Sequence, residues 1–141
     1  FASSDISITL REDCDCTVFG YPNEFMQVIL NILNNAKDAI IETKKEGGLI
    51  KITSLCQTGA CIITIEENGG GIRKEVVEKI FDPYFTTKAP DKGTGIGLYM
   101  AKTIIEKHMN GKISVTNGEN GAIFAIELPR AASGEGSLPK T

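Results

Sequence analysis

Nowhere in its 141 residues does the sequence hold an apolar run long enough to span a bilayer, so no transmembrane helix is expected within it. No secretory signal is recognisable either, and the chain opens at Phe1 rather than at a methionine, so it reads as an excerpt from a longer protein. Positive charge is short as well. Fifteen Lys and Arg against eighteen Asp and Glu leave a net charge of −3, whereas neutralising a phosphate backbone would need a clustered excess of Lys and Arg. Nucleic acid is therefore not expected as a partner, and any anionic ligand must be met locally. Histidine is reduced to His108 alone. Four cysteines occur, at 14, 16, 56 and 61, with no Cys-x-x-Cys pair among them. Cys14 and Cys16 would share a strand face, and Cys56 and Cys61 flank QTGA in a hairpin. An all-cysteine zinc site or a cross-strand disulfide is conceivable, but the usual ligand spacing is missing, and free thiols in a reducing cytoplasm are the expectation.

What is present suffices for one domain with a proper core: 41% of residues are apolar and 23% charged. Alternation in DISITL (5–10) and CTVFG (16–20) predicts two short strands joined by the acidic turn REDCD. Pro22 stands at the first turn of a helix, with Glu24 behind it. Phe25, Val28, Ile29, Ile32, Leu33, Ala36 and Ile40 form its apolar face, which ends near Glu42. LIKITSL (49–55) and CIITIEE (61–67) should pair as a hairpin around Gly59. From Asn68 to Gly93 the periodicity fades into a long functional loop, with at most a short helix over EVVEKIF (75–81). A second helix is expected from about Thr94 to His108, stopped at Asn110-Gly111. KISVTN (112–117) and AIFAIEL (122–128) then close a hairpin around GENG. Residues 1–129 make the domain, and 130–141 have the composition of a disordered tail. The order ββαββ, loop, αββ, with hairpins rather than strict βαβ crossovers, predicts a two-layer α/β sandwich: a mixed, mostly antiparallel sheet covered by helices on one face.

Three stretches are chemically pointed. KGTGIGLYMAK (92–102) alternates Gly93, Gly95 and Gly97 with Thr94 and Ile96 and runs straight into a helix. Glycine removes side chains and permits positive φ, and the helix start adds unpaired N–H groups, so the surface suits an anion. It is neither GxxxxGKS/T nor an intact GxGxxG, and turn glycines alone remain an alternative. On the first helix Gln27, Asn31, Asn34, Asn35 and Asp38 gather opposite the apolar arc, with Asn31, Asn35 and Asp38 on one stripe. Asn and Asp are poor mid-helix residues where a solvated face would draw on Lys and Glu, so beside the bland reading as a polar face stands a ligand role. Asparagine oxygen suits Mg²⁺, which takes one or two protein oxygens beside phosphates, and Asn35 is the candidate. Last, EENGGGI (66–72) ends a strand in a carboxylate followed by glycines. Such a carboxylate can accept a hydrogen bond from an exocyclic amine while the loop wraps a ring; a plain glycine turn is the alternative.

NEFMQVILNILNNAKDAI, ENGGGI, IFDPYFTTK and GTGIGL resemble, in order and spacing, the N, G1, F and G2 boxes of the sensor histidine kinase catalytic and ATP-binding domain, of the Bergerat-type ATPase superfamily. The resemblance spans about residues 5–129. It implies a domain that binds ATP with Mg²⁺ and donates the γ-phosphoryl to a histidine on a dimerisation and phosphotransfer domain of the same full-length protein, with a response regulator downstream. It also implies a cytoplasmic domain without membrane contact of its own, and leaves a membrane-anchored parent open. Asn35 is then the Mg²⁺ ligand, with Asn31 and Asp38 beside the phosphates. Glu67 reads the adenine amine, and Gly69, Gly71 and Ile72 hug the ring. The long loop becomes the ATP lid, carrying Phe81, Thr87 and Lys88, and Gly93, Thr94, Gly95, Ile96, Gly97 and Leu98 surround the phosphates.

Two departures from the family pattern stand out. The adenine-reading aspartate is Glu67 here, one methylene longer, a misfit of about 1–3 kcal/mol in a built pocket. Many relatives also carry Ser or Thr where this chain has Ala122-Ile123. A nucleotide-poor regulatory or docking module therefore stays open as an alternative. Hydrolytic ATPases of the superfamily place a water-activating Glu four residues before the metal-binding Asn, and here that position is Asn31, which cannot accept a proton. Anti-sigma-factor serine kinases lack the FDPYFTTK segment. His108 precedes Met109 at a helix end rather than an acidic residue on a dimerisation helix, so a partly buried packing or capping role is expected for it.

Overall fold

The computed structural model describes residues 6–12, 17–18, 20–43, 47–85 and 96–130. Strand β1 (Ile6–Glu12) is followed by helix α1 (Pro22–Thr43) and then by strands β2 (Gly48–Gln57) and β3 (Ala60–Glu67). A short helix α2 (Lys74–Val77) precedes α3 (Gly97–Thr103), which widens into a π-helical stretch over Ile104–His108. Strands β4 (Lys112–Asn117) and β5 (Ala122–Pro129) complete a five-stranded sheet of order β1-β2-β3-β5-β4. No helix among the described residues is long and apolar enough to cross a membrane.

Helix α1 turns one stripe inward, and Val28, Ile32, Ala36 and Ile40 recur every four residues with at most 2% exposure. They meet rows of side chains that the register lays across the sheet, Ile65–Phe124–Val115 and Ile63–Ile126–Ile113. From α3 and the stretch beyond it, Ala101, Ile104 and Ile105 join the same core. Each fully buried Ile or Phe there is worth about 1.5–3 kcal/mol over exposure. Period two along β3 sends Glu67 to the same face as Ile63 and Ile65, so the strand's inward row ends on a carboxylate.

Several expectations need correction. Residues 17 and 18 are irregular and Gly20 lies in a bend, so no strand covers 16–20 among the described residues. β1 pairs with β2 in parallel, so β1-α1-β2 is a βαβ crossover where hairpins were expected. The remaining pairings are antiparallel. The helix end at Asn110-Gly111 holds, but Asn110 takes the left-handed conformation (φ 56°) while the Gly111 N–H closes on the Ile105 carbonyl at 2.8 Å. His108 is exposed, not packed; its Nδ1 lies 2.9 Å from Glu24 Oε1 and ties the helix end to the first turn of α1. Cys56 and Cys61 are not free thiols. The Thr58-Gly59 turn sets them opposite each other in the ladder, and both are disulfide-bonded. Cys14 and Cys16 lie outside the described residues, as do residues 131–141 of the expected tail.

Candidate functional site

Where β3 ends, the chain passes beneath the C-terminal half of α1 and opens a cleft of about 210 Å³. Asn35, Ala39 and Thr43 form one wall from α1; Glu67 with Gly69, Gly71 and Ile72 forms another; Val76 and Ile80 supply an apolar floor. Period 3.6 puts Asn35, Ala39 and Glu42 on one stripe, and loop and floor follow each other in sequence, so the site is built from local segments docked by the core.

Glu67 sits at the head of the cleft with 2% exposure, and its Oε1 accepts the Gly69 N–H at 2.5 Å. Burial pushes its carboxyl above the ordinary 4.5, against the opposing backbone N–H groups of Gly69 and Ala122. The glycine loop follows at once. Gly70 and Gly71 have φ of 97° and 90°, and a Cβ on Gly71 would stand 2.9 Å from Asn117 Oδ1. Gly69 lies against the α1 backbone, where a Cβ would meet the Ala39 carbonyl at 3.0 Å. The Thr43 hydroxyl is 2.9 Å from the carbonyl oxygens of both Ala39 and Gly69, and joins helix to loop. Asn68 anchors the other side, accepting from Leu49 N–H at 2.8 Å and donating to the Gly47 carbonyl at 3.0 Å.

Asn35 lines the cleft and makes no side-chain hydrogen bond among the described residues, so its amide oxygen is free to ligate. Among those residues no three His, Cys, Asp or Glu side chains converge on a metal position. Asn31 is differently employed. Its Nδ2 donates to the Gly97 carbonyl at 2.9 Å and its Oδ1 accepts from Gln27 at 2.8 Å, so it fastens α1 to the start of α3.

Of the residues singled out in the sequence, the fold brings together Asn35, Glu67, Gly69, Gly71 and Ile72. Asp38 is half-buried one turn along α1 from Asn35 and does not line the cleft. Leu98 packs on the core, and Ile96 carries the carbonyl that accepts the Met100 N–H as α3 begins. Phe81 points elsewhere. It meets Phe124 edge-on at 6.3 Å, lies under Lys102 Nζ at 5.7 Å, and borders a separate cleft of about 280 Å³ with Pro83 and Tyr99. Thr87, Lys88, Gly93, Thr94 and Gly95 lie outside the described residues. Sequence reasoning did not find Thr43, Asn68 or Asn117. Their contacts reach across 19 to 45 positions, and no local pattern marks them.

A buried acceptor, an apolar floor and a loop without side chains are chemically suited to a flat ring bearing an exocyclic amine, and an acceptor there disfavours a ring carbonyl. Comparison with known proteins identifies the family. A profile of the histidine kinase-, DNA gyrase B-, and HSP90-like ATPases matches residues 20–132. The two-component sensor PprA of Pseudomonas aeruginosa is 37% identical over 124 residues, 84% of this chain and 13% of that protein. The sensor histidine kinase ZraS of Salmonella typhi is 42% identical over 109 residues, 77% of this chain and 22% of that protein. The chain thus spans less than a quarter of either sensor's length. The nucleotide-free catalytic domain of histidine kinase ThkA superposes with a TM-score of 0.79 at 37% identity, over 92% of this chain and 82% of that one. ThkA has also been solved in complex with the response regulator protein TrrA, where the likeness has a TM-score of 0.76 at 33% identity over 92% of this chain and 36% of that one. By profile, sequence and fold together, the chain belongs to the histidine kinase-, DNA gyrase B- and HSP90-like ATPase family, as an ATP-binding catalytic domain of its histidine kinase branch.

Proposed function

We propose that this chain is the ATP-binding half of a two-component sensor histidine kinase and that it hands the γ-phosphoryl of ATP to a histidine on a dimerisation domain outside this chain. The observation that carries the reading is the cleft in which Glu67, the glycine loop and the partner-free Asn35 converge. Glu67 accepts from the adenine amine, Gly69 and Gly71 let the backbone approach the ring, and Ile72 and Ile80 exclude water from its faces. The Asn35 oxygen would hold Mg²⁺, which when bound neutralises phosphate charge. Asn31 keeps the Gly97 carbonyl, and with it the start of α3, beside the phosphates. Lys88, Thr87 and the backbone of Gly93, Thr94 and Gly95 are assigned to the phosphates on the family resemblance, with residues 1–129 as the working unit and 130–141 as a tail.

In the transfer itself an imidazole nitrogen of the acceptor attacks the γ-phosphorus, the bond to the β–γ bridging oxygen breaks, and ADP departs with that electron pair. His108 is not assigned as that acceptor: it pairs with Glu24 at the end of the π-helical stretch and precedes Met109 rather than an acidic residue. As the ThkA complex shows for that kinase, a response regulator is the proposed partner downstream. A hydrolytic ATPase would need a base at position 31, and both ends of the Asn31 amide are already hydrogen-bonded.

Titration calorimetry of ADP with and without Mg²⁺, on wild type and Asn35→Ala, tests the reading. Wild type should bind ADP more tightly with Mg²⁺, and Asn35→Ala should lose about tenfold or more of that metal enhancement with its thermal melt unchanged. Absence of binding at millimolar ADP would favour a docking module, and an unchanged metal enhancement would remove Asn35 as ligand.

A further inference from the structure

The turn between β4 and β5, NGENG (117–121), has no part in the family motifs quoted above, yet together with Ala122 it holds the segment 67–72 at three points. The Asn117 side chain takes both backbone groups of one residue: its Oδ1 accepts the Ile72 N–H at 2.8 Å and its Nδ2 donates to the Ile72 carbonyl at 2.7 Å. The Asn120 carbonyl accepts the Gly70 N–H at 3.0 Å. At the start of β5 the Ala122 N–H donates to the Glu67 carboxylate. The turn holds its own shape through the Gly118 N–H to Gly121 carbonyl bond of 2.8 Å.

We propose that Asn117 is a positioning residue for the nucleotide site, fixing the glycine loop so that Glu67 and Gly71 face the base. The inference rests on the nucleotide reading above. A primary amide carries a donor and an acceptor side by side, matched to the N–H and C=O of a single extended residue, so Asn117 treats Ile72 as a neighbouring strand would. The loop needs such a clamp. Gly70 and Gly71 hold positive φ and carry no side chains to pack, so nothing within residues 69–71 selects one conformation over the many open to glycine. Gly71 and Asn117 are also complementary in space, because a Cβ on residue 71 would stand only 2.9 Å from the amide oxygen. The two bonds are solvent-exposed, so they add little to global stability; their effect is local, on loop geometry.

The test uses the whole chain and ADP, with calorimetry on wild type, Asn117→Ala and Asn117→Asp. Asp keeps the acceptor for the Ile72 N–H and sets a carboxylate against the Ile72 carbonyl. ADP affinity should therefore fall in the order wild type, Asp, Ala, with Asn117→Ala about tenfold weaker. Because the clamp lies at the base end, the ratio of ADP affinity with Mg²⁺ to that without should stay at its wild-type value, and a thermal melt equal to that of wild type separates this local effect from general unfolding, which would lower both affinities by one factor. Hydrogen exchange on wild type supplies a reading independent of variant folding: the Ile72 amide should be protected. Unchanged ADP affinity in Asn117→Ala, collapse of the Mg²⁺ ratio, or an unprotected Ile72 amide would each overturn the positioning role. Failure of wild type to bind ADP would instead overturn the nucleotide reading, and the role of Asn117 with it.

Discussion

Glu67 is the residue on which burial and chemistry pull in opposite directions. A carboxyl at the inner end of a strand is desolvated, and two backbone N–H groups offset only part of the cost, so it titrates above 4.5. A carboxyl whose folded value is raised takes up a proton on folding. Its contribution to stability is therefore complete below about 4.5 and is lost as pH rises through the folded value. Glu67→Gln cannot ionise. Its melting temperature relative to wild type should climb as pH goes from about 4 to about 8, while its ADP affinity falls because an amide accepts more weakly than a carboxylate. A relative melting temperature that drops with pH would mean that the Gly69 and Ala122 donors outweigh burial. The residue scale also shows a limit of reading side chains from sequence. That a carboxylate ends the strand was legible; that it points into the core beside Ile63 and Ile65, and that its own Oε1 turns back onto Gly69, was not.

At the scale of elements, α1 carries two functions on two faces. Its apolar stripe fastens the helix to the sheet, and on its asparagine stripe Asn31 fastens α3 while Asn35 is left to the ligand role proposed for it. Those roles were not separable by helical spacing, because Asn31 and Asn35 are one turn apart and chemically identical. Only the packing of α3 against α1 distinguishes them, by bringing the Gly97 carbonyl to Asn31. Asn31→Ala should thus loosen the start of α3. Amide exchange at Met100 and Ala101 should accelerate, global stability should fall by about 0.5–1 kcal/mol after the gain in helix propensity, and exchange in the middle of α1 should be unchanged. Unaltered exchange at Met100 would show that the hydrogen bond to Gly97 does not hold the helix start.

At the scale of the whole molecule, the sheet separates a disulfide-bonded end from the end that carries the candidate nucleotide site. Cys61 is the second residue of β3 and Glu67 its last, six residues or about 20 Å apart along the strand. Reduction should lower the melting temperature, by an amount on the order of 2 kcal/mol in stability, and leave ADP affinity where it was. A parallel loss of ADP affinity on reduction would mean that the two ends of the sheet are coupled.

By itself the sequence determined the helical stripe of α1, the two hairpins, the strand-ending carboxylate at position 67 and the glycines beside it, because each rests on periodicity or backbone freedom within a few residues. The order of motifs was enough to point to the family. Tertiary structure alone decided the parallel pairing of β1 with β2, the removal of Phe81 from the cleft, the engagement of Asn31 with Gly97, and the grip of Asn117 and Thr43 on the glycine loop. Those depend on contacts between residues 26 to 66 positions apart, or on which of two faces a helix docks, and both are set by how the core packs rather than by any local pattern.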